Sequence, residues 1–334
     1  ARRFESHYDA LFPAKTLGTN VWAAIQYTVF HEGRKGVIVG DDGWLYTLEE
    51  FRGWPDAEAN LRTHLDIIAD VDRLLTRQGT TLIVALVPAK ARLYPEYRRG
   101  VETAPIHAEL YARARRGLLD RGITTPDLLS ALAECKAAGA VFLRTDTHWT
   151  PLGARCAAAE LAATAERLGR MTTAPQPFVT EPGPAQAHRG DLMRFLPLAP
   201  YFESLLPPPD RIVPAQTFAN GPTDLLGDAP APQAMLVGTS YSADPLWNFA
   251  GALKEQLRED VLNLADSGQG PFEPMLAYLR DPRLSPPRLL IWEIPERYLP
   301  MQPQTATLPR PRPGSASFRE STLALESRPL AYTL

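Results

Sequence analysis

Two short polar stretches of the chain hold the residue types that acyl-transfer chemistry needs. Asp146 and His148 are separated by one residue and follow an apolar run at 140–143, which we predict to be a buried strand. A carboxylate this close to an imidazole can hold one tautomer and stabilise the imidazolium, as the base of an acyl-transfer reaction requires. Ser240 follows a second apolar run, at 234–237, in a Gly-x-Ser turn. The sequence therefore offers a base with its orienting carboxylate and a strand-end nucleophile.

Each stretch is also compatible with a purely structural role. An Asp-x-His pair on a loop is often a helix cap followed by a surface histidine, and residues 238–242 can form an ordinary strand-to-helix turn. Thr150 and Pro151 have the residue types of an N-cap and first turn for the helix that we predict over 152–168. Because a base and a strand-end serine on one sheet are two parts of an acyl-transfer site, we favour catalysis, with Ser240 as nucleophile.

Two further residues compete for the same roles. Ser242 is a second hydroxyl after the strand, but it lies further from the strand end and could cap a helix instead. His188 is a rival histidine, which we predict to be a loop residue because no predicted strand end presents it. We therefore assign the base to His148 and its orientation to Asp146.

Composition limits the class of protein. The chain has 334 residues, of which 45% are hydrophobic, so one large domain or two small ones can form a real core. A net charge of -3 argues against nucleic-acid binding. No apolar run is long enough to span a bilayer. The chain begins abruptly at Ala1, and a leader or membrane anchor ahead of it remains possible.

The two cysteines, Cys135 and Cys156, flank the Asp146 and His148 stretch. A disulfide there would connect the two predicted helix ends next to the site, and two buried free thiols are the open alternative. Neither cysteine has a second ligand nearby at the spacing of a zinc site, so we predict no metal.

Strand and helix patterns alternate along the chain, which predicts a parallel α/β sheet. The run at 81–88 is almost entirely apolar, as expected for a strand that is buried on both faces. We predict a β-hairpin at 37–46 and amphipathic helices within 4–31. The other predicted strands are 123–125, 140–143, 234–237, 261–264 and 288–292, and the other predicted helices are 58–78, 105–121, 128–138, 152–168, 246–258 and 272–280.

The segment 171–233 differs from the rest because it holds 13 of the 33 prolines and shows little periodicity. We predict an irregular insertion there, with short strands around Phe178 and 212–213, that packs over the domain. We accordingly expect one catalytic domain over 1–300 and a Pro- and Ser-rich surface tail over 301–334.

Four stretches together resemble the AlgJ/AlgX family of polysaccharide O-acetyltransferases, which are SGNH-hydrolase-like proteins of the bacterial periplasm. They are Asp-Thr-His-Trp-Thr-Pro-Leu-Gly-Ala at 146–154, Gly-Thr-Ser-Tyr-Ser at 238–242, and the stretches 37–46 and 291–299. The resemblance spans residues 4–300. It implies a three-layer α/β fold with a central parallel sheet and circularly permuted motifs, since the serine follows the Asp/His pair.

The resemblance also implies a role for each site residue. Ser240 would take an acetyl group, His148 would remove the serine proton and later that of a sugar hydroxyl, and Asp146 would orient the base. The Ser240 N–H would be one oxyanion donor, and the second is expected from the turn that contains Gly268 and Gln269.

Tyr298 and Arg297 lie at another predicted strand end, where they are candidates to contact sugar or carboxylate. Arg297 could equally form a structural ion pair with Glu293 or Glu296, and we favour that interpretation.

The acceptor that the resemblance implies is a polysaccharide, most directly the mannuronate residues of alginate. The chain has no room for the extra carbohydrate-binding module of AlgX-type members and is therefore more similar to AlgJ, which a leader holds at the inner membrane. A membrane-bound acyltransferase and other periplasmic acetylation proteins would be the partners, with no cofactor held by this chain and no nucleic acid. An acetyl esterase acting on carbohydrate and a non-catalytic polysaccharide-binding scaffold are the alternatives.

Overall fold

The computed structural model describes residues 13–220 and 232–303. The first twelve residues, which include the start of the predicted N-terminal helices, lie outside this part of the chain. So does nearly all of the predicted tail at 301–334.

A four-stranded parallel sheet forms the centre of the molecule, as the alternating pattern predicted. Its strands are β3 (Thr81–Val87), β8 (Ala234–Val237), β9 (Val261–Asn263) and β10 (Leu289–Pro295), in the order β3-β10-β8-β9. Strand β10 pairs with β3 over seven residues, from Leu289 opposite Thr81 to Pro295 opposite Val87. Strand β10 is thus paired along both edges, and its residues are almost all apolar because its side chains pack into an apolar cluster on each face of the sheet.

Smaller antiparallel pairs and ten helices complete the described fold. The remaining strands are β1 (Val37–Val39), β2 (Leu45–Thr47), β4 (Phe178–Pro182), β5 (Gln186–His188), β6 (Asp210–Ile212) and β7 (Ala215–Ala219). The helices are α1 (Pro13–Ile25), α2 (Ala57–Arg77), α3 (Lys90–Leu93), α4 (Pro105–Ala108), α5 (Leu110–Leu119), α6 (Leu128–Cys135), α7 (Pro151–Arg167), α8 (Ser240–Ala243), α9 (Phe249–Leu257) and α10 (Phe272–Arg280).

The sheet lies between two layers of helices. Along β3, Ile83 and Ala85 belong to the apolar cluster that contains α6, α7 and α9, whereas Leu82 and Val84 belong to the cluster that contains α2, α5 and α10. This alternation follows from the two-residue period of a strand, which sends successive side chains to opposite faces. The predicted three-layer α/β fold is confirmed. Among the described residues, no helix has the length and apolar character needed to cross a membrane.

Two predicted helices differ from the structure at their ends. The helix predicted over 246–258 begins at Phe249, because Pro245–Trp247 forms a 3₁₀ turn and Asn248 adopts a left-handed φ of 52°. The helix predicted over 105–121 is divided at Glu109 into α4 and α5. By contrast, α7 begins as predicted, since the Thr150 hydroxyl accepts the N–H of Gly153 at 3.1 Å.

The predicted strands at 123–125 and 140–143 are not strands of the sheet. Thr124 makes only an isolated bridge with Ile83, and Phe142 pairs only with Trp149. Ile123 and residues 141–143 are nevertheless buried, so the apolar composition of the two runs indicated burial and not sheet pairing. We call residues 140–150 the base loop, because this segment carries Asp146 and His148.

A buried lysine donates hydrogen bonds to backbone carbonyls of the base loop. Lys90, which is 1% exposed, donates from Nζ to the carbonyl oxygens of Leu143, Arg144 and Asp146 at 3.0, 3.2 and 2.6 Å. Burial lowers the pKa of Lys90 to about 8, although the nearby carboxylates, Glu50 first among them, oppose this shift. One ammonium group therefore satisfies the carbonyls of Leu143 and Asp146, and it adds a second donor to the Arg144 carbonyl, which also accepts the N–H of Leu45 at 2.8 Å.

The insertion at 171–233 is more regular than predicted. Its described residues, 171–220 and 232–233, form two antiparallel pairs, β4 with β7 and β5 with β6, which include the strands expected around Phe178 and Ile212. Asp210 on β6 accepts the backbone N–H groups of Arg144 and Thr145 at 3.0 and 2.9 Å. The insertion is therefore attached to the base loop. The division into a catalytic domain over 1–300 and a tail stays a prediction.

Cys135 and Cys156 form a disulfide, which resolves the alternative left open by the sequence. It connects the end of α6 to the first turns of α7, with 6.6 Å between the Cα atoms.

The double variant Cys135→Ser/Cys156→Ser should lose about 3 kcal/mol of unfolding free energy, because a loop spanning 21 positions is no longer closed in the unfolded chain. Thermal unfolding followed by circular dichroism tests this. Reduced wild-type protein should unfold at the same temperature as the variant, and an unchanged midpoint in both would contradict the prediction.

Lys90→Met should destabilise the protein by about 3–5 kcal/mol, because the buried carboxylates lose a countercharge and the carbonyls of Leu143 and Asp146 lose their donor. Urea unfolding of the variant against wild type measures the difference. Lys254→Met is the matched control: Lys254 forms an exposed ion pair with Asp260, and its loss should change stability by less than about 1 kcal/mol. Equal effects of the two substitutions would refute the role given to Lys90.

Candidate active site

Ser240 stands directly beyond the carboxyl end of β8, as the first residue of α8. Gly238 makes this turn possible, because a Cβ at that position would lie only 2.5 Å from Glu293 Oε2 on the neighbouring strand β10. Thr239 caps α8, with its hydroxyl accepting the N–H of Tyr241. The serine hydroxyl is thus held at the edge of the sheet by a tight turn packed on β10.

Glu293 supports this turn from below. Its fully buried carboxylate accepts the Thr239 N–H at 2.7 Å, and it accepts the hydroxyls of Thr239 and Ser242 at 3.0 and 3.1 Å. Burial raises the pKa of Glu293 against these hydrogen bonds. Ser242, the rival hydroxyl, is therefore buried and directed away into the core, and its predicted role as a helix cap belongs to Thr239.

The two polar stretches that the sequence singled out meet in space. His148 Nε2 lies 2.6 Å from Ser240 Oγ, and His148 Nδ1 lies 2.6 Å from Asp146 Oδ1. Because Nδ1 faces a carboxylate, that nitrogen carries the proton in the neutral ring, and Nε2 is free to accept the serine proton. The arrangement of hydroxyl, imidazole and carboxylate is that of a nucleophile with its base and orienting group.

Aromatic rings fix the plane of this imidazole. The His148 ring stacks on Trp247, with centroids 5.2 Å apart and planes at 19°, and its centroid lies 4.8 Å from that of Tyr241. The Tyr241 hydroxyl donates to the carbonyl of Thr147 at 2.7 Å, and Trp149 Nε1 donates to the carbonyl of Tyr241 at 3.1 Å. Tyr241, next to Ser240, therefore joins the turn at 238–240 to the base loop.

His188 also reaches the site, which corrects the prediction that it is a loop residue. It ends strand β5, and its Nε2 lies 2.8 Å from Asp146 Oδ2. The backbone N–H of Asp191 donates to the same oxygen at 3.1 Å. Burial alone would raise the pKa of the Asp146 carboxyl, but hydrogen bonds from His148 and His188 outweigh it and hold that pKa below its usual range.

The threonines on either side of Asp146 are held by aspartates of the insertion. Asp210 Oδ2 accepts the Thr145 hydroxyl at 2.6 Å, and Asp191 accepts the Thr147 N–H at 2.8 Å. Gly190 lies so close to the base loop that an added Cβ would clash with the Thr145 carbonyl. Sequence reasoning missed these contacts, because Asp191 and Asp210 lie in a proline-rich segment without a regular pattern.

The predicted oxyanion turn is not joined to the serine by any hydrogen bond among the described residues. Gly268 and Gln269 are exposed in the turn after β9. Asp266 donates from its N–H to the Gly238 carbonyl at 3.1 Å, which places that turn beside the end of β8. The role of Gly268 and Gln269 as oxyanion donors stays a prediction.

Arg297 is a structural residue, but its partners differ from those predicted. It is 6% exposed, and it donates to Glu49 Oε2 from Nε and to the Tyr241 hydroxyl from Nη1, each at 3.1 Å. Glu296 pairs instead with Arg92 at 2.9 Å. Tyr298 is half-buried beside Arg297, with the guanidinium 4.9 Å from its ring centroid.

The ligand atoms of Asp146, His148 and Asp191 lie within 4.8 Å of one another, as in many metal centres. The Asp146 oxygens, however, already accept two imidazole and two backbone N–H donors, and Asp191 accepts from Thr147. These carboxylate oxygens are engaged as hydrogen-bond acceptors, and we assign no metal to the cluster.

Comparisons with known proteins place this geometry in a family. Residues 37–296 match the family described as "SGNH hydrolase-like domain, acetyltransferase AlgX". The "Probable alginate O-acetylase AlgJ" of Pseudomonas aeruginosa is 49% identical over 317 residues, which are 90% of this chain and 80% of that protein. The protein of the same name from Azotobacter vinelandii is 49% identical over 308 residues, with 90% and 79% covered.

Solved structures agree with the sequence relatives. The "O-Acetyltransferase Domain of Pseudomonas putida AlgJ" has a TM-score of 0.75 at 42% identity, covering 80% of this chain and 94% of that one. Pseudomonas aeruginosa AlgX has a TM-score of 0.56 at 24% identity, which supports the fold, with 79% and 65% covered. The resemblance predicted from the four motifs is confirmed: the chain belongs to the SGNH hydrolase-like AlgX family of acetyltransferases.

Proposed function

We propose that this protein is an O-acetyltransferase that carries an acetyl group on Ser240 and passes it to hydroxyls of a polysaccharide. The observation that supports this most directly is the continuous relay from Ser240 Oγ through His148 to Asp146, with both hydrogen bonds at 2.6 Å. The names of the relatives, alginate O-acetylase and acetyltransferase, agree with this chemistry.

In the first half-reaction, Ser240 Oγ attacks the carbonyl carbon of an acetyl ester while its proton moves to His148 Nε2. The carboxylate of Asp146 stabilises the imidazolium that forms. When the tetrahedral intermediate collapses, the bond to the donor oxygen breaks and that oxygen takes the proton from His148. The products are acetyl-Ser240 and the deacetylated donor.

In the second half-reaction, a sugar hydroxyl transfers its proton to His148 Nε2 while its oxygen attacks the acetyl-serine carbonyl. Ser240 Oγ leaves and recovers the proton, which restores the resting site. The backbone N–H of Ser240 makes no hydrogen bond to any described residue, so it is available as one donor to the oxyanion.

An alginate-like polyuronate is the acceptor that we propose, because the relatives at 49% identity are named as alginate O-acetylases. The Cys135–Cys156 disulfide suits an oxidising compartment and therefore supports a periplasmic location. Attachment to the inner membrane through a leader ahead of Ala1, and supply of acetyl by a membrane-bound acyltransferase, complete the proposal.

Ser240→Ala should lower the turnover of a chromogenic acetyl ester by about 10⁴-fold or more, because the nucleophile is lost. Intact-mass measurement should show one added acetyl group on wild-type protein that maps to Ser240 and is missing from the variant. Ser242→Ala is the matched control, since that hydroxyl is bonded to Glu293, and it should keep the acetyl adduct. A folded Ser240→Ala protein with unchanged turnover would leave the scaffold interpretation standing.

Transfer and hydrolysis are separated by the acceptor. With an acetyl ester as donor, we expect polymannuronate to gain O-acetyl groups, measured by nuclear magnetic resonance of the polymer, at the expense of released acetate. The reason is that a sugar hydroxyl bound in the site competes with water for the same acetyl-serine. If polymer raises neither transfer nor turnover, while acetate is still released, the protein is an esterase.

A further inference from the structure

Two imidazoles, not one, contact the carboxylate of Asp146. His148 Nδ1 lies 2.6 Å from Asp146 Oδ1, and His188 Nε2 lies 2.8 Å from Asp146 Oδ2. His148 continues to the serine, whereas His188 comes from the insertion and takes no part in the proton path described above. Its position therefore needs a separate explanation.

The surroundings of His188 connect it to the base in a second way. Its ring meets Trp247 edge-on, with centroids 5.6 Å apart and planes at 90°, and the same indole stacks on His148. Its backbone lies opposite Asp210 in the pairing of β5 with β6. Both imidazoles are thus fixed by one carboxylate and one indole, while β5 anchors the outer ring to the insertion.

The charges that face His188 are mainly negative. The hydrogen bond to Asp146 raises the pKa of His188, and the carboxylates of Asp210 and Asp244 add to this against the opposing effect of burial. The side chain is 19% exposed, so protons can reach it from solvent. His148, on the far side of Asp146, is the other titratable ring in contact with the same carboxylate.

We propose that His188 is a positioning residue of the acyl-transfer relay. It holds the Asp146 carboxylate from the side opposite His148, so the orientation of the His148 ring depends on the insertion. This inference rests on the proposed function. Without His188, Asp146 Oδ2 would keep only the N–H of Asp191, and the carboxylate could rotate away from the line to Ser240.

The charge on His188 should also matter. A neutral His188 donates to Oδ2 and leaves the negative charge of Asp146 available to stabilise the His148 imidazolium. A protonated His188 neutralises part of that charge and weakens the stabilisation. Turnover should therefore rise as pH increases through the pKa of His188, in addition to any dependence that arises from His148 itself.

Two substitutions separate the hydrogen bond from the charge. His188→Leu removes both, and kcat for a chromogenic acetyl ester should fall about 10- to 100-fold with little change in KM, the size expected for one lost charge-assisted hydrogen bond. His188→Gln can place an N–H donor near the position of Nε2 without a titratable group. It should recover most of kcat and lose the ionisation assigned to His188 from the pH profile.

Arg189→Leu is the control for disturbance of the insertion, because Arg189 is exposed and pairs with Glu203 at the surface. It should keep wild-type kcat and pH profile. Wild-type kcat in His188→Leu, or a loss in His188→Gln as large as in His188→Leu, would overturn the inference. If His188→Leu does not fold, the pH profile of His188→Gln decides, and an unchanged profile rejects the role.

Measuring whether wild-type protein forms acetyl-Ser240 distinguishes a failure of the proposed function from a failure of the role given to His188. A wild-type protein that never forms acetyl-Ser240 contradicts both the proposed function and the role of His188. If wild-type protein and His188→Leu both form acetyl-Ser240 at the same rate, the role of His188 is contradicted and the proposed function is not.

Discussion

The carboxylate of Asp146 is the group on which the site depends. It is 3% exposed, and a charged carboxylate so deeply buried is tolerated only when donors surround it. Four N–H groups do so: the ring and backbone N–H of His148, the ring of His188 and the backbone of Asp191. Because these donors come from both the base loop and the insertion, satisfying one charge holds two distant parts of the chain together.

A second tier of buried polar groups keeps those donors in place. Lys90 donates to carbonyls of the base loop, and Glu293 accepts hydrogen bonds from the turn before Ser240. Both carry pKa values shifted by burial toward the neutral form, which shows that the fold accepts unfavourable desolvation at these positions. Tyr241 then links the two loops through its hydroxyl and its backbone carbonyl.

The sheet and the pair formed by Asp146 and His148 could be predicted because each depends on local pattern. Apolar runs with alternating helices specify a parallel sheet, and the ends of parallel strands meet at one edge. The prediction of a strand at 140–143 was wrong because an apolar composition indicates burial and not sheet pairing. Lys90, which donates to the Leu143 carbonyl, lies 53 positions away, so a local pattern carries no sign of it. The partners of Arg297 were wrong for a similar reason, since Glu49 lies 248 positions away in sequence.

The contact between His188 and Asp146 could not be predicted from local sequence patterns. A histidine in a proline-rich segment carries no local sign of the carboxylate it will contact, and only the pairing of β5 with β6 brings it to Asp146. The family resemblance supplied roles for Ser240 and His148 but none for this ring. Motifs of neighbouring residues therefore located the relay, while its support from the insertion became visible only in three dimensions.

The close approach at Gly190 has a consequence for any attempt to exchange segments between relatives. There the insertion lies against the backbone of the base loop, with the Gly190 N–H donating to the Thr145 hydroxyl at 3.1 Å and the Leu192 N–H donating to the Thr145 carbonyl at 3.2 Å. This seam leaves no room for a side chain at residue 190, because a Cβ there would lie 2.1 Å from the Thr145 carbonyl oxygen, and backbone cannot move aside as a flexible side chain could. A chimera that keeps its chemistry would have to transplant both sides of the seam as one unit.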